Sequence, residues 1–291
     1  MRSITVLTMI LTFVVGVSLP SSSHASICYA FVEDLRKDLP GVRYAKLETA
    51  TDAIPASLQA GTVRITYVAH STFRIETAQG VTVATDYFGT AGRDAEDNAI
   101  RPDIITMNHA HETHWTAFPD PKIPYVLRGW DHDGKGPADY KLKVRDVVVR
   151  NVTTDIRGWG APEPDGNSIF IFEVADLCIG HLGHLHHRLT EQHYAKVGRL
   201  DIVMAPVDGT MTLNIDDMIE VLKTLKARIV LPMHAFGGYS MQRFLTGMSD
   251  AFAVTVHDGP TLDVSFQTLP GEPTVMFLPN SPGLDLGFSV D

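Results

Sequence analysis

The sequence predicts an α/β protein in which two packed mixed sheets carry helices on their outer faces. The first observation is a run of strand-like segments between Gly61 and Gly180, several of which alternate apolar and polar residues. The second is a change, after residue 190, to strand–helix–strand units. Many strands followed by such units are typical of two sheets that bury their shared faces against each other.

The N-terminal residues predict an export signal at 1–25. Arg2 supplies the charged start, Ile4 to Leu19 is apolar, and Ser23-His24-Ala25 resembles a cleavage site of small residues. We therefore expect a periplasmic or secreted protein with no membrane span once the signal is removed. An N-terminal extension at 26–60 follows, with helix-like spacing of Phe31, Leu35 and Leu39. The main domain is predicted at 61–291.

The charge of the chain points away from polyanionic partners. With 34 acidic and 24 basic residues the formal net charge is −10, which makes nucleic acid a poor partner. We expect a small-molecule substrate, and the sequence leaves the oligomeric state open. Two cysteines, Cys28 and Cys178, could pair in an oxidising compartment, but their distance in sequence does not predict a bridge.

The predicted elements follow in order along the chain. Strand-like segments lie at 63–68, 72–76, 81–86, 103–107, 125–128, 147–152, 168–173, 177–180, 202–207, 229–234, 254–256 and 262–264. A short helix is predicted at 190–196. A second helix begins after Asn214 and runs through Leu225, because Met218, Val221 and Leu222 share one face with Leu225.

A histidine cluster directly after one buried strand is the strongest indication of function. His109, His111 and His114 lie within six residues, and in an extended segment residues i and i+2 point to the same side. Neutral imidazole is the commonest metal ligand near neutral pH. The cluster therefore predicts a metal site. The spacing is one residue short of the HExxH zinc motif, and no GxSxG or glycine-rich phosphate loop occurs.

Five short motifs occur in the order expected of one known family. They are Ala69-His70-Ser71-Thr72-Phe73, the cluster at 109–114, Gly180-His181-Leu182-Gly183-His184, Ala205-Pro206-Val207-Asp208-Gly209 and Leu231-Pro232-Met233-His234. Together they resemble the metallo-β-lactamase fold, and within it the ascorbate-6-phosphate-lactonase-like branch of hydrolases. The resemblance implies an αββα four-layer sandwich and makes 61–291 a metallo-β-lactamase-like domain.

The sequence departs from that family at three positions. Thr113 stands where the resemblance expects an aspartate, His184 stands where it expects a bridging aspartate, and Asp155 is the only ligand type near an expected histidine. A neutral His184 cannot hold two cations as a bridging carboxylate does. The expected ligands are His109, His111, His114, His184 and His234, with Asp155 as an oxygen donor or an orienting group.

The donor set points to zinc, with manganese or iron as alternatives and one or two ions. The expected function is an exported hydrolase of a small-molecule ester, lactone or phosphodiester that uses a metal-bound hydroxide. Asp155, Glu112 and Thr113 are the candidates for orienting the nucleophile. The alternative is a non-catalytic relative that binds a metal or ligand on the same scaffold.

Further residues are candidates for lining the pocket or orienting a ligand. They are His70, Asp86, His181 and Asp208, all of them near the matched motifs. Aromatics on loops could wall a pocket, and two arginines could bind an anion. The residues are Trp115, Trp130 and Trp159, with Arg128 and Arg157.

Overall fold

A computed structural model of the protein describes Cys28, residues 58–158 and residues 160–279. The predicted signal at 1–25, nearly all of the extension at 26–60 with its helix-like spacing, and Trp159 lie outside the described residues. Within the described residues, two mixed sheets account for the strands.

The first sheet has the strand order β13-β1-β2-β3-β4-β5. Its strands are β1 (Thr62–Ala69), β2 (Thr72–Thr77), β3 (Thr82–Ala84), β4 (Ile104–Met107), β5 (Tyr125–Arg128) and β13 (Thr261–Ser265). The hairpin β1–β2 is antiparallel, whereas β4 runs parallel to both β3 and β5. This direction places the histidine cluster at the carboxyl edge of the sheet, directly after β4.

The second sheet has the order β12-β14-β11-β10-β9-β8-β7-β6. Its strands are β6 (Lys141–Val144), β7 (Val147–Ile156), β8 (Glu163–Val174), β9 (Leu177–His181), β10 (Ile202–Pro206), β11 (Ile229–Met233), β12 (Ala253–Val256) and β14 (Thr274–Phe277). The predicted hairpin of β8 and β9 is present. Strands β9, β10 and β11 are parallel, so their carboxyl ends share one edge.

Strand alternation divides the core into two layers. On β8, Phe170 and Phe172 pack between the sheets, while Ile169 and Ile171 belong to the cluster on the other face. This is the two-residue period of a pleated strand with both faces buried. The packing of two mixed sheets, predicted from the sequence, is confirmed.

In the part of the chain that the structure describes, three helices cover the outer face of the second sheet. They are α1 (Glu191–Val197), α2 (Ile215–Leu225) and α3 (Gly238–Met248). Thr190 and Asn214 cap α1 and α2 by accepting hydrogen bonds from backbone N–H groups, as such residues do at helix starts. Both helices match their prediction, whereas α3 was not predicted. Among the described helices, none is long and apolar enough to cross a membrane.

The outer face of the first sheet is covered differently. Ile105 and Met107 of β4 pack against Tyr87, Ile123 and Trp130, which lie in loops. Within the described residues no helix lies on this face. The described part of the chain therefore supplies three of the four layers that the family resemblance implies.

A disulfide joins Cys28 to Cys178, with 5.8 Å between the two Cα atoms. Both residues are fully buried. Cys178 lies in β9, the strand that leads into His181 and His184. The sequence permitted this bridge without predicting it, because pairing depends on a fold that brings together residues 150 positions apart.

Replacing one cysteine should destabilise the protein. Because the cross-link restricts the unfolded chain, we expect Cys28→Ser to lower the free energy of unfolding by about 2–4 kcal/mol, measured by urea denaturation. As a control, a reducing agent should lower the stability of the wild type toward that of the variant and leave the variant unchanged. Equal stability of the two proteins without reductant would contradict this expectation.

Candidate metal centre

Loops from both sheets bring six histidines together at one edge of the sandwich. His70 lies in the turn between β1 and β2, the cluster at 109–114 follows β4, His184 follows β9, and His234 follows β11. The ring centroid of His114 lies 5.4 Å from that of His70, 4.6 Å from that of His184 and 5.1 Å from that of His234. The strand ends position these side chains on a rigid scaffold.

His70, His114 and His234 form the tightest group of candidate metal ligands. Each offers one ligand atom, and the three atoms lie within 4.8 Å of one another. Nε2 of His70 and Nε2 of His114 are buried and make no hydrogen bond within the described residues. Buried polar nitrogens without a partner are uncommon in folded proteins, and a bound ion would give these two nitrogens a partner.

A buried carboxylate holds His114. Oδ2 of Asp86 lies 2.6 Å from Nδ1 of His114, and Oδ1 accepts a hydrogen bond of 2.9 Å from the backbone N–H of Asn108. Asp86 is fully buried. Burial opposes its charge, but His114, His181 and the Asn108 N–H outweigh burial and lower its pKa. The ionised Asp86 therefore keeps the proton of His114 on Nδ1 and leaves Nε2 as a lone-pair donor.

His234 lies beside a second buried carboxylate. Its Nδ1 lies 3.1 Å from Oδ1 of Asp208, whose side chain is fully buried. Oδ2 of Asp208 accepts hydrogen bonds from the N–H groups of Thr210 and Met211, at 2.9 and 2.6 Å. Burial opposes the charge of Asp208, yet His234, the hydroxyl of Thr212 and the N–H of Thr210 lower its pKa well below the usual range.

The backbone is strained at this edge. His70, Asp86 and His234 all have positive φ values, of 51°, 40° and 57°. Residues with a Cβ adopt this left-handed region at an energetic cost, and such residues concentrate at functional sites. This conformation brings His70 and His234 into contact. The N–H of His234 donates to the carbonyl of His70 at 3.0 Å.

The three nitrogens suit a borderline first-row ion. Neutral imidazole is the form that binds metal, and burial, followed by the neighbouring His234 and His114, lowers the pKa of His70 to about 4. A site with three histidine ligands and oriented rings fits zinc.

His109 and His111 lie at the same edge but outside this group. Nδ1 of His109 donates to the carbonyl of Gly166 at 2.7 Å, which leaves its Nε2 as a lone-pair donor. Nδ1 of His111 lies 3.0 Å from Oγ1 of Thr113. Their rings lie 5.4 and 5.7 Å from that of His184. Within the described residues they join no group of three close ligand atoms.

Two acidic residues that the sequence offered as candidates lie outside the histidine group. Asp155 lies on β7 between buried Thr154 and Ile156, so alternation turns its side chain to solvent, where Oδ1 accepts from the N–H of Asp165. Glu112 is exposed as well. Neither carboxylate joins the histidine group, so the structure does not support Asp155 as a ligand or either residue as a catalytic group.

His181 connects the two sheets instead of binding an ion. Its Nε2 donates to the carbonyl of Ser71 at 2.8 Å, and its Nδ1 accepts from the N–H of Gly183 at 3.1 Å. Both ring nitrogens are thus occupied in a fully buried side chain. His181 fixes the hairpin that carries His70 to the strand that leads to His184.

Trp115, Trp130 and Arg157 have structural contacts, and Arg128 lies at the end of β5. Trp115 and Trp130 pack edge to face at 5.5 Å under the first sheet. Arg157 donates through its guanidinium to the carbonyl of Thr212 at 2.7 Å. An aromatic that the sequence did not single out, Phe236, is 64% exposed and lies 4.9 Å from the ring of His234. The sequence did not indicate this position, because it depends on β11, which leads Phe236 to the histidines.

The buried charge of Asp208 predicts a pH-dependent loss of stability. Its lowered pKa means that the carboxylate stabilises the fold above about pH 4 and that this contribution is lost as the pH falls further. We expect Asp208→Asn to cost about 2–3 kcal/mol at pH 7 in metal-free protein, and less below pH 4, measured by urea denaturation. The exposed Asp258→Asn is the control, and a pH-independent difference for Asp208→Asn would contradict the assignment.

Known proteins that are similar to this chain include metal-dependent hydrolases. A UPF0173 metal-dependent hydrolase of Salinibacter ruber is 24% identical over 214 residues, which cover 67% of this chain and 94% of that protein. A second UPF0173 metal-dependent hydrolase, from Desulforamulus reducens, is 26% identical over 235 residues, which cover 72% of this chain and 98% of that protein. The crystal structure of a candidate Zn-dependent hydrolase of the metallo-β-lactamase superfamily from Thermotoga maritima has the same fold. It aligns with a TM-score of 0.54 and 23% identity, over 74% of this chain and 98% of that one.

The part of the chain that matches a known family contains the whole histidine site. Residues 64–234 match the family described as the beta-lactamase superfamily domain, from the first hairpin to the histidine after β11. These residues contain every candidate ligand described above. This chain belongs to the beta-lactamase superfamily domain family.

Proposed function

We propose that this protein is a metal-dependent hydrolase whose ion is held by His70, His114 and His234. The observation that carries the proposal is the approach of three ligand atoms to within 4.8 Å, two of them on imidazoles beside buried carboxylates. Metal-ligating histidines commonly have such a carboxylate on their other nitrogen. The matched relatives are described as metal-dependent hydrolases, which agrees with this proposal.

Each residue has a separate role in this proposal. His70, His114 and His234 bind the ion, Asp86 orients the ring of His114, and Asp208 lies against His234. A zinc ion supplies Lewis acidity that polarises the scissile bond and acidifies a water ligand near neutral pH. Phe236, exposed beside His70 and His234, offers an apolar surface to the substrate at the mouth of the site.

The substrate in this proposal is a small ester, lactone or phosphodiester. The hairpin and histidine motifs resemble the ascorbate-6-phosphate-lactonase-like branch, and the net charge of −10 disfavours nucleic acid. Zinc is the proposed ion because all three ligand atoms are nitrogens, with manganese and iron as alternatives.

Export to the periplasm or beyond the cell is part of the proposal. The N-terminal sequence supports it, and so does the Cys28–Cys178 disulfide, since such bonds persist mainly in oxidising compartments. Cell fractionation tests it: recovery of the chain in the cytoplasm with residues 1–25 still attached and with free thiols would contradict export.

A second candidate function is metal or ligand binding without hydrolysis. Thr113 and His184 replace two carboxylates expected from the family resemblance, and Asp155 and Glu112 do not compensate for them. Turnover separates the two candidates. Zinc-loaded protein should hydrolyse a lactone or a phosphodiester, and a chelator should abolish this activity reversibly. Zinc-loaded protein that is inert toward esters, lactones, phosphodiesters and β-lactams would favour the binding protein.

Zinc content and affinity should depend on the histidine group and its carboxylate. We expect His114→Ala to lose stoichiometric zinc, and Asp86→Asn to bind zinc about 10–100-fold more weakly, because the ring of His114 is no longer held by a charged acceptor. Elemental analysis and competition with a chromogenic chelator measure the two effects. The exposed His187→Ala should retain wild-type affinity. Unchanged affinity in Asp86→Asn would contradict the proposed centre.

A further inference from the structure

A chain of two hydrogen bonds fixes the position of one proton beside the candidate metal centre. The backbone N–H of Arg157 lies 2.9 Å from Nδ1 of His186, and Nε2 of His186 lies 2.8 Å from Nδ1 of His184. His186 and His184 are 8% and 4% exposed, so water has little access to these contacts.

The direction of both hydrogen bonds follows from the first donor. A backbone N–H can only donate, so Nδ1 of His186 must carry a lone pair and its proton must be on Nε2. Nε2 of His186 then donates to Nδ1 of His184, which must also carry a lone pair. The proton of His184 is therefore on Nε2.

The ring that carries this proton lies beside two of the candidate metal ligands. The ring of His184 is 4.6 Å from that of His114 and 5.3 Å from that of His234, measured between centroids. Its backbone N–H donates to Oδ1 of Asn167 at 2.8 Å, which fixes the loop that carries it. Within the described residues, Nε2 of His184 makes no hydrogen bond, so its N–H is available to a ligand.

We propose that His184 is a fixed hydrogen-bond donor to the substrate oxygen that gains negative charge, and that it does not ligate the metal. This inference rests on the proposed hydrolase function. It assigns a catalytic role to the residue that stands where the family resemblance expects a bridging carboxylate. His186 is a positioning residue that acts through His184.

Ligation by His184 would require both hydrogen bonds to be reversed. A metal at Nε2 would move the proton of His184 to Nδ1, which would make Nε2 of His186 an acceptor. Neutral His186 would then carry its proton on Nδ1, facing the N–H of Arg157 at 2.9 Å. Two donors would meet in a buried position, so the arrangement favours one ion held by the His70 group over two bridged ions.

The location of the proton can be measured without turnover. Long-range ¹H–¹⁵N correlation spectra of the ¹⁵N-histidine-labelled protein distinguish Nε2–H from Nδ1–H, with His184→Phe assigning the signal. We expect His184 to be Nε2–H both in metal-free protein and after addition of one equivalent of Zn²⁺. A shift of the proton to Nδ1 when Zn²⁺ binds would overturn the proposal.

Binding of inorganic phosphate tests the donor directly, since its anionic oxygens stand in for the charged substrate oxygen. In zinc-loaded protein, phosphate should shift the Nε2–H signal of His184, and His184→Phe should weaken phosphate binding about tenfold with zinc content unchanged. His187→Phe, which alters the exposed neighbour, should bind like the wild type. Equal phosphate affinity of His184→Phe and wild type would overturn the proposal even if the protein hydrolyses its substrate.

Variants of His186 separate positioning from simple structural damage. His186→Gln can still accept from Arg157 N–H and donate to Nδ1 of His184, whereas His186→Leu can do neither. If the protein is a hydrolase, we expect His186→Leu and His184→Phe to lower kcat about 100-fold with little change in KM, and His186→Gln to retain most activity. Equal loss in the Gln and Leu variants would contradict the relay. Absence of hydrolysis in the wild type would contradict the proposed function and leave the phosphate and proton measurements to decide the role of His184.

Discussion

The contact on which the site depends is the buried pair of Asp86 and His114, with 2.6 Å between Oδ2 and Nδ1. A fully buried carboxylate is costly unless hydrogen bonds and opposite charge compensate for lost water. Asp86 obtains this compensation from His114 and from the backbone of Asn108, which lies directly after β4. The same pair therefore holds the loop after β3 against the histidine cluster after β4 and selects the nitrogen of His114 that remains free. Structural support and ligand preparation are thus two results of one interaction.

Much of the fold was predictable because alternation along a strand reports burial directly. Val63 and Ile65 of β1 alternate with polar residues, and both are buried between the sheets. Helix α2 was predictable from Asn214 as a cap and from one apolar face. Helix α3 was not, because it begins with Gly238, contains Gly247 and exposes Tyr239, features that weaken a helical pattern. Strand pairing across long distances, including the disulfide, depends on tertiary contacts that local patterns do not encode.

The sequence predicted which strand ends form the site, but it did not predict which side chains form the group of candidate ligands. The motifs identified His114 and His234, but they also counted His109, His111 and His184 as ligands and placed His70 only as a pocket residue. Asp155, a further candidate, faces solvent. His70 reaches the group because it occupies the left-handed region in a tight turn, with its carbonyl bonded to the N–H of His234. A residue's membership in such a group depends on backbone conformation, and the identity of the residue alone does not reveal it.

The placement of negative charge explains how histidine can stand where a bridging carboxylate is expected. Asp86 and Asp208 are ionised, but each contacts the ring of a histidine, His114 or His234. The centre therefore presents nitrogens to an ion, and its carboxylates are separated from that ion by the imidazole rings. Such a centre neutralises less charge at the ion itself, which favours a single cation over a closely spaced pair. A neutral imidazole at position 184 is compatible with one cation, because it adds a directed N–H without adding a second charge to the cluster. In the proposed hydrolase, histidine at position 184 therefore corresponds to a change in the number of ions and in the source of substrate contacts, and not to the loss of a site.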